Sequence, residues 1–227
     1  MNVLAGPGAT PDQRAAKERR ILDAAFRVFS QAGYAGASMD AIAEAAGVSK
    51  PTLYQYFGSR DALFAAMMDT ARDQMPDPFD AKGDMVDQLH RFAWACADTV
   101  MRADLLGLAR LVIGEAARFP AIGAAYQAAG PGRLLSGMIA WLEAQRRAGR
   151  PVFDDAELAA QDLWALILSA PRTQALHRPD AVPGRAQIRR YLENGLRVFL
   201  RAYATDPQAD LAALARLTND PPTTGMT

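Results

Sequence analysis

The sequence predicts an all-α chain, with a small N-terminal helical unit followed by a larger helical region, about nine helices in all. Three observations carry that prediction. Apolar residues recur every three to four positions through most of the 227 residues. Ser, Asp, Gly and Pro fall where such segments begin and end, as helix caps and breakers do. No segment alternates convincingly as a strand.

The first amphipathic segment, Arg19 to Ala32, places Ile21, Ala25, Val28 and Phe29 on one face and ends at Gly33. The stretch SMDAIAEAAGVSKPTLYQYF, Ser38 to Phe57, then encodes two short helices around a tight corner. Ser38 is placed to cap a helix whose apolar side carries Met39, Ile42, Ala43 and Ala46. Gly47 supplies the left-handed turn that ends it, and Val48 fills the corner. Ser49 caps the second helix, and Pro51 falls in its first turn, where a missing N–H costs nothing. Leu53 and Phe57 point back at the first helix. Ser59 caps a further helix, with Asp61 favourably set at its positive end and Leu63, Phe64, Met67 and Met68 on its apolar side.

The second helix of this helix-turn-helix keeps Lys50, Thr52, Tyr54, Gln55 and Tyr56 on its outer side, a set of donors and rings whose length fits a DNA major groove. Bulk charge does not advertise such a partner. Residues 1–75 hold eight basic and eight acidic side chains, and the whole chain has zero formal net charge. Affinity therefore has to come from placement, with Lys17, Arg19 and Arg20 near the first helix joining Lys50 and Arg60 in one basic strip.

The run RRILDAAFRVFSQAGYAGASMDAIAEAAGVSKPTLYQYFGSRDALFAAMM resembles the DNA-binding domain of the tetracycline-repressor (TetR/AcrR) family of bacterial transcriptional regulators. Phe29, Gly33, Ile42, Ala43, Gly47, Val48, Leu53, Tyr54, Phe57 and Leu63 stand at that family's spacing, over roughly the first third of the chain. The resemblance implies a DNA-contact set of Ser38, Met39, Ser49, Lys50, Pro51, Thr52, Tyr54, Gln55 and Tyr56, joined by Lys17 and Arg19, with Arg60 as a phosphate clamp. Asp40 is acidic where some members are basic, which suits it to orienting a basic neighbour rather than a base. The implied fold is a three-helix helix-turn-helix DNA-binding domain followed by a helical ligand-binding and dimerisation domain.

Composition and punctuation divide the chain into a flexible arm at 1–14, a DNA-binding domain at 15–75 with its motif at 38–57, an effector-binding and dimerisation domain at 76–204, and a short helix with a disordered tail at 205–227. The boundary rests on Pro76, Pro78 and Gly83. Beyond it, helices are expected over 84–102, 105–118, 121–129, 133–148, 155–176 and 185–203. Arg110 to Pro120, RLVIGEAARFP, resembles the second domain of an AcrR/AefR-like branch. In the family this region forms an inducer pocket, and Trp94, Met101, Arg110, Phe119, Tyr126, Met138, Trp141 and Trp164 are the candidates to line it, against the plainer alternative of core packing. Family members dimerise through their last two long helices, which here implies an interface of Leu163, Leu166, Ile167, Ala170, Leu192, Leu196 and Phe199. Pro171 should kink or end the first of these helices.

Other chemistries lack support. His90 and His177 have no partner at metal-ligand spacing, so neither metal nor cofactor is expected. The single cysteine, Cys96, sits between alanines as core filler and excludes an internal disulfide. No apolar run reaches membrane-spanning length and the first fifteen residues lack a signal core, so a cytoplasmic, bacterial, nucleoid-associated regulator without a membrane partner is expected. The expected partners are double-stranded operator DNA, a small-molecule effector of unknown identity, and a second copy of the chain. A ligand-released repressor fits best. An activator of the same family is the nearest alternative, and an all-α enzyme would require a catalytic cluster that the sequence does not contain.

Overall fold

Helix-forming segments joined by one- to several-residue turns dominate the computed structural model, which describes residues 10–73 and 83–219. No strand occurs among the described residues, although an isolated antiparallel bridge links Pro151 to Ala204. The helices are α1 Pro11–Gly36, α2 Met39–Ala46, α3 Lys50–Phe57, α4 Arg60–Asp73, α5 Met85–Val100, α6 Ala103–Glu115, α7 Pro120–Ala129, α8 Pro131–Arg147, α9 Ala156–Trp164, α10 Ala170–His177, α11 Arg185–Tyr203 and α12 Pro207–Asn219. A π-helical segment, Ala165–Ser169, joins α9 to α10. None of the described helices is long and apolar enough to cross a membrane.

Two compact units result, one of Met1–Gln74 with Arg110–Gly130, the other of Met75–Ala109 with Pro131–Thr227. In the first, α1 begins earlier than its apolar periodicity suggested. Thr10 and Gln13 form a reciprocal capping box and Pro11 occupies the first turn, so residues 11–14, expected in a flexible arm, are helical. The first nine residues of that arm, and Pro76 and Pro78 of the expected boundary, lie outside the described residues. Ile21, Leu22, Ala24, Ala25 and Phe29 of α1 meet Ile42, Ala43, Leu53, Leu63 and Phe64 in a closed core. The α1 helix kinks at Gly33, φ 71°, and the turn beyond it buries Tyr34. The unit also takes in α7, packed on α4, a segment that the sequence grouped with the second domain.

The second unit has one continuous core in which Leu89, Phe92, Ala93, Met138, Leu142, Ala160, Leu163, Ile167, Leu192, Leu196 and Phe199 are all essentially buried. The short helix expected after Thr205 is α12, Pro207–Asn219, and it adds Leu214 to that core. The tail prolines Pro221 and Pro222 lie outside the described residues. Gly195 of α11 crosses the π segment so closely that a Cβ there would stand 2.5 Å from the Leu166 carbonyl oxygen; only glycine fits. Pro171 neither ends nor sharply breaks the helix. Its ring would clash with the Ile167 carbonyl in a regular α-helix, and the π segment lies where that clash would fall.

This packing corrects most of the expected dimer interface. Leu163, Ile167, Leu192, Leu196 and Phe199 are at most 1% exposed within a single chain, because α9 and α11 pair with each other before any second copy is present. Leu166 is half-buried and Ala170 exposed.

Candidate nucleic-acid interface

The corner that presents α3 is built by capping at every exposed helix end. The Ser38 hydroxyl accepts the Ala41 N–H at 3.1 Å, and Gly47 closes α2 with φ 62°. The free carbonyls at that end are met from α1. Arg20 donates from Nε to Ala46 O at 3.0 Å and from Nη2 to Gly47 O at 3.4 Å, a cation at the negative pole of α2. Arg20 is thereby withdrawn from the basic strip that its sequence position suggested. Ser49 caps α3 by accepting the Thr52 N–H at 3.3 Å, and its Oγ lies 2.8 Å from Thr52 Oγ1. Both serine hydroxyls thus hold helix ends as acceptors, while Ser38 and Ser49 stay exposed. Met39, from the expected contact set, is 8% exposed and packs inward.

What α3 leaves in solvent is narrower and better defined. Leu53 alone on this helix is fully buried, while Lys50, Pro51, Tyr54 and Gln55 are exposed and Thr52 and Tyr56 are half-buried. Tyr54 is 42% exposed, a large ring kept in water. Lys50 Nζ lies 2.8 Å from Asp40 Oδ1, and the carboxylate raises the lysine pKa above its ordinary value, first through the hydrogen bond and then through its charge. The expectation that Asp40 orients a basic neighbour is realised in this pair. The Arg14 guanidinium lies over the Tyr56 ring, 5.7 Å from its centroid. Sequence reasoning missed Arg14 because it stood in an assumed arm; the capping pattern Thr10-Pro11-Asp12-Gln13 was the available signal. On the same helix Lys17 is half-buried and Arg19 exposed.

Arg60 has a different role from the phosphate clamp anticipated for it. Its Nη1 donates to Tyr34 O at 3.1 Å and to Ala37 O at 3.3 Å, and its guanidinium lies over the Tyr34 ring at 4.3 Å and the Phe119 ring at 5.6 Å. The cation is spent on joining the loop before α2, the start of α4 and the turn into α7. Tyr34, which no periodicity singled out, is the hub. It stacks on Phe29, meets Phe64 and Phe119 edge-on, and donates its hydroxyl to Asp61. Burial, reinforced by the Asp61 carboxylate, raises its pKa to about 12. Glu115 accepts the Ala35 N–H at 3.3 Å on the same side.

Phe119, expected in an effector pocket, therefore belongs to this aromatic cluster, and Arg110 and Tyr126 fall in the same unit. The remaining candidates lie in the second unit. Met138 and Trp141 are buried there, Trp141 donating from Nε1 to Gln88 Oε1 at 2.6 Å. Trp94, Met101 and Trp164 are half-buried, with Arg185 over the Trp94 ring at 4.3 Å. Cys96 is buried among alanines and its thiol pKa is pushed up to about 12 by burial alone.

Comparison with known proteins follows the same division. Residues 21–67 match the model of the bacterial regulatory proteins of the tetR family, and residues 87–205 match the C-terminal domain of AefR-like transcriptional repressors. A solved TetR-family transcriptional regulator from Mesorhizobium loti is 29% identical with a TM-score of 0.75, covering 84% of this chain and 98% of that one. The flavonoid-responsive regulator FrrA is 30% identical with a TM-score of 0.70, over 84% of this chain and 98% of its own. The transcriptional activator FasR of Mycolicibacterium smegmatis is 48% identical over 60 residues, 26% of this chain and 27% of that relative. The chain thus spans about a quarter of the length of the curated relatives it matches. The helix-turn-helix geometry, the second-domain match and the structural likeness over 84% of the chain agree: the chain belongs to the TetR family, whose members are DNA-binding transcriptional regulators and not enzymes.

Proposed function

We propose that the protein is a repressor that binds a palindromic operator as a homodimer and is released by a small-molecule effector held in its second unit. The observation that carries the reading is the exposed face of α3, where Lys50, Tyr54 and Gln55 stand in solvent on a helix fixed by caps at both ends. Such a face has polar reach and little structural work of its own. Lys50, Pro51, Thr52, Tyr54, Gln55 and Tyr56 are the residues assigned to DNA, with Arg14, Lys17 and Arg19 flanking. Two copies would address half-sites about one helical turn, ~34 Å, apart or a modest multiple of it.

The surface proposed for pairing is the one that α9, α10 and α11 leave outside: Leu158, Ala165 and Ser169 on one side, Asn194, Val198 and Ala202 on the other. Leu158 is 59% and Val198 37% exposed, apolar groups that a second copy would cover. Effector binding would favour one of two conformations and change the separation of the two α3 helices, α4 carrying the shift; a ligand that binds both conformations equally regulates nothing. The responsiveness in FrrA's name supports a small-molecule effector, and the AefR-like match supports repression. Activation is the second reading, favoured by the likeness to FasR.

Selection of binding sites from random duplexes by the purified protein tests the assignment. A palindromic consensus is expected, with affinity lost in the Lys50→Ala, Tyr54→Ala double variant while helicity and dimerisation persist. Unchanged affinity in that variant would overturn the reading. A reporter bearing the selected site separates repression, in which deleting the regulator raises expression, from activation, in which it lowers it.

A further inference from the structure

Lys50 is the first residue of α3, where unpaired backbone N–H groups make a positive pole that disfavours a cation. Its ammonium is held by Asp40, the second residue of α2, at 2.8 and 3.0 Å from the two carboxylate oxygens. The two side chains are 55% and 65% exposed. An ion pair so open to water adds little to stability, so holding the fold together does not account for it. The pair instead puts a carboxylate beside a cation on the face assigned to DNA, in a head with no surplus of positive charge.

We propose that Asp40 sets specificity by competing with DNA for Lys50. On a random duplex, a phosphate offers Lys50 no more than Asp40 already does, so the lysine stays paired and releases no counterion. On the operator, the docked geometry brings a base edge or phosphate within reach and Lys50 exchanges partners. Asp40 thereby lowers non-specific affinity more than operator affinity, discrimination obtained by penalising the wrong complex. Asp40 is a positioning residue that acts through Lys50. This inference rests on the reading of α3 as the DNA-binding helix.

The test uses the full-length protein, the operator obtained by selection and a random duplex of equal length, with affinities measured over a range of salt. For Asp40→Asn, affinity for the random duplex should rise about eightfold at 0.1 M salt and its salt slope should steepen by about 0.9, the signature of one added phosphate contact. Operator affinity should change less, so the ratio between the two falls. Asp40→Glu should restore the ratio, and in a Lys50→Met background Asp40→Asn should change nothing. The proposal is overturned if Asp40→Asn leaves the random duplex unaffected or shifts both duplexes equally. It is also overturned if the effect survives without Lys50, which would make Asp40 a simple repeller of phosphates. If Lys50→Met alone alters neither affinity, the assignment of α3 to DNA fails and this inference with it. Circular dichroism and melting of each variant exclude unfolding as the cause.

Discussion

Helices α3 and α11 use their amphipathicity in opposite ways. α3 buries Leu53 and leaves most of its other side chains at least partly in water, so its position depends on caps and on neighbours that hold its ends. α11 buries Ile188, Leu192, Gly195, Leu196, Phe199 and Leu200 and is held by its own core. A face exposed at the expense of packing points to a partner, whereas a continuous apolar stripe does not reveal which chain covers it. That is why the stripe on α11 suggested a dimer interface and is satisfied within one chain.

The contrast is most exposed at Phe199. Phe199→Ala should lower stability by about 3–5 kcal/mol, as a cavity in a closed core does, and chemical denaturation at two protein concentrations would check it. Loss of dimerisation without that loss of stability would return Phe199 to an interface. Gly195→Ala should cost about 1–3 kcal/mol by driving a Cβ against the Leu166 carbonyl, visible as a lowered melting temperature. In the first unit, Arg60→Ala should remove about 1–3 kcal/mol through its carbonyl bonds and its stack on Tyr34. The DNA salt slope should not change. A slope shallower by about 0.9 would restore a phosphate role.

The smallest effect concerns His90, whose pKa is lowered by burial against the opposing pull of Glu193 and Asp87, with Arg189 and Arg91 acting in the same direction as burial. A depressed folded pKa makes its contribution fully present above about 6.5, the unfolded value, and lost as pH falls through the folded one. Stability should therefore decline modestly below pH 6.5. His90→Gln should flatten that limb of a denaturation-against-pH profile, and an unchanged limb would assign it to other groups.

The helix-turn-helix was legible because each of its signals is local: a capping serine, a glycine that must turn left-handed, a proline in a first turn. The same locality made the Asp40–Lys50 pair readable across a corner of ten residues. Arg60 was misread because its carbonyl partners and its second ring, Phe119, come from segments that no local pattern connects to it. Tyr34 was invisible for the same reason. The pocket candidates were chosen by residue type, which does not distinguish a lining ring from the buried Trp141 or from Phe119 in the aromatic cluster. A uniform 3.6-residue period grouped the exposed Ala170 with the buried Leu163 and Ile167. The buried row actually runs Leu163, Ile167, Pro171, Ala175, in four-residue steps that drift by about 40° each in a regular α-helix.

The π segment absorbs that drift, and this has a practical corollary for anyone engineering the chain. Residues before Ala165 and after Ser169 cannot be drawn on one helical wheel. Cross-linking pairs, heptad assignments or gapless alignments carried through the segment will be out of phase on one side of it. Removing a single residue there would close the π turn into an α turn, and Pro171 would keep the face it now occupies.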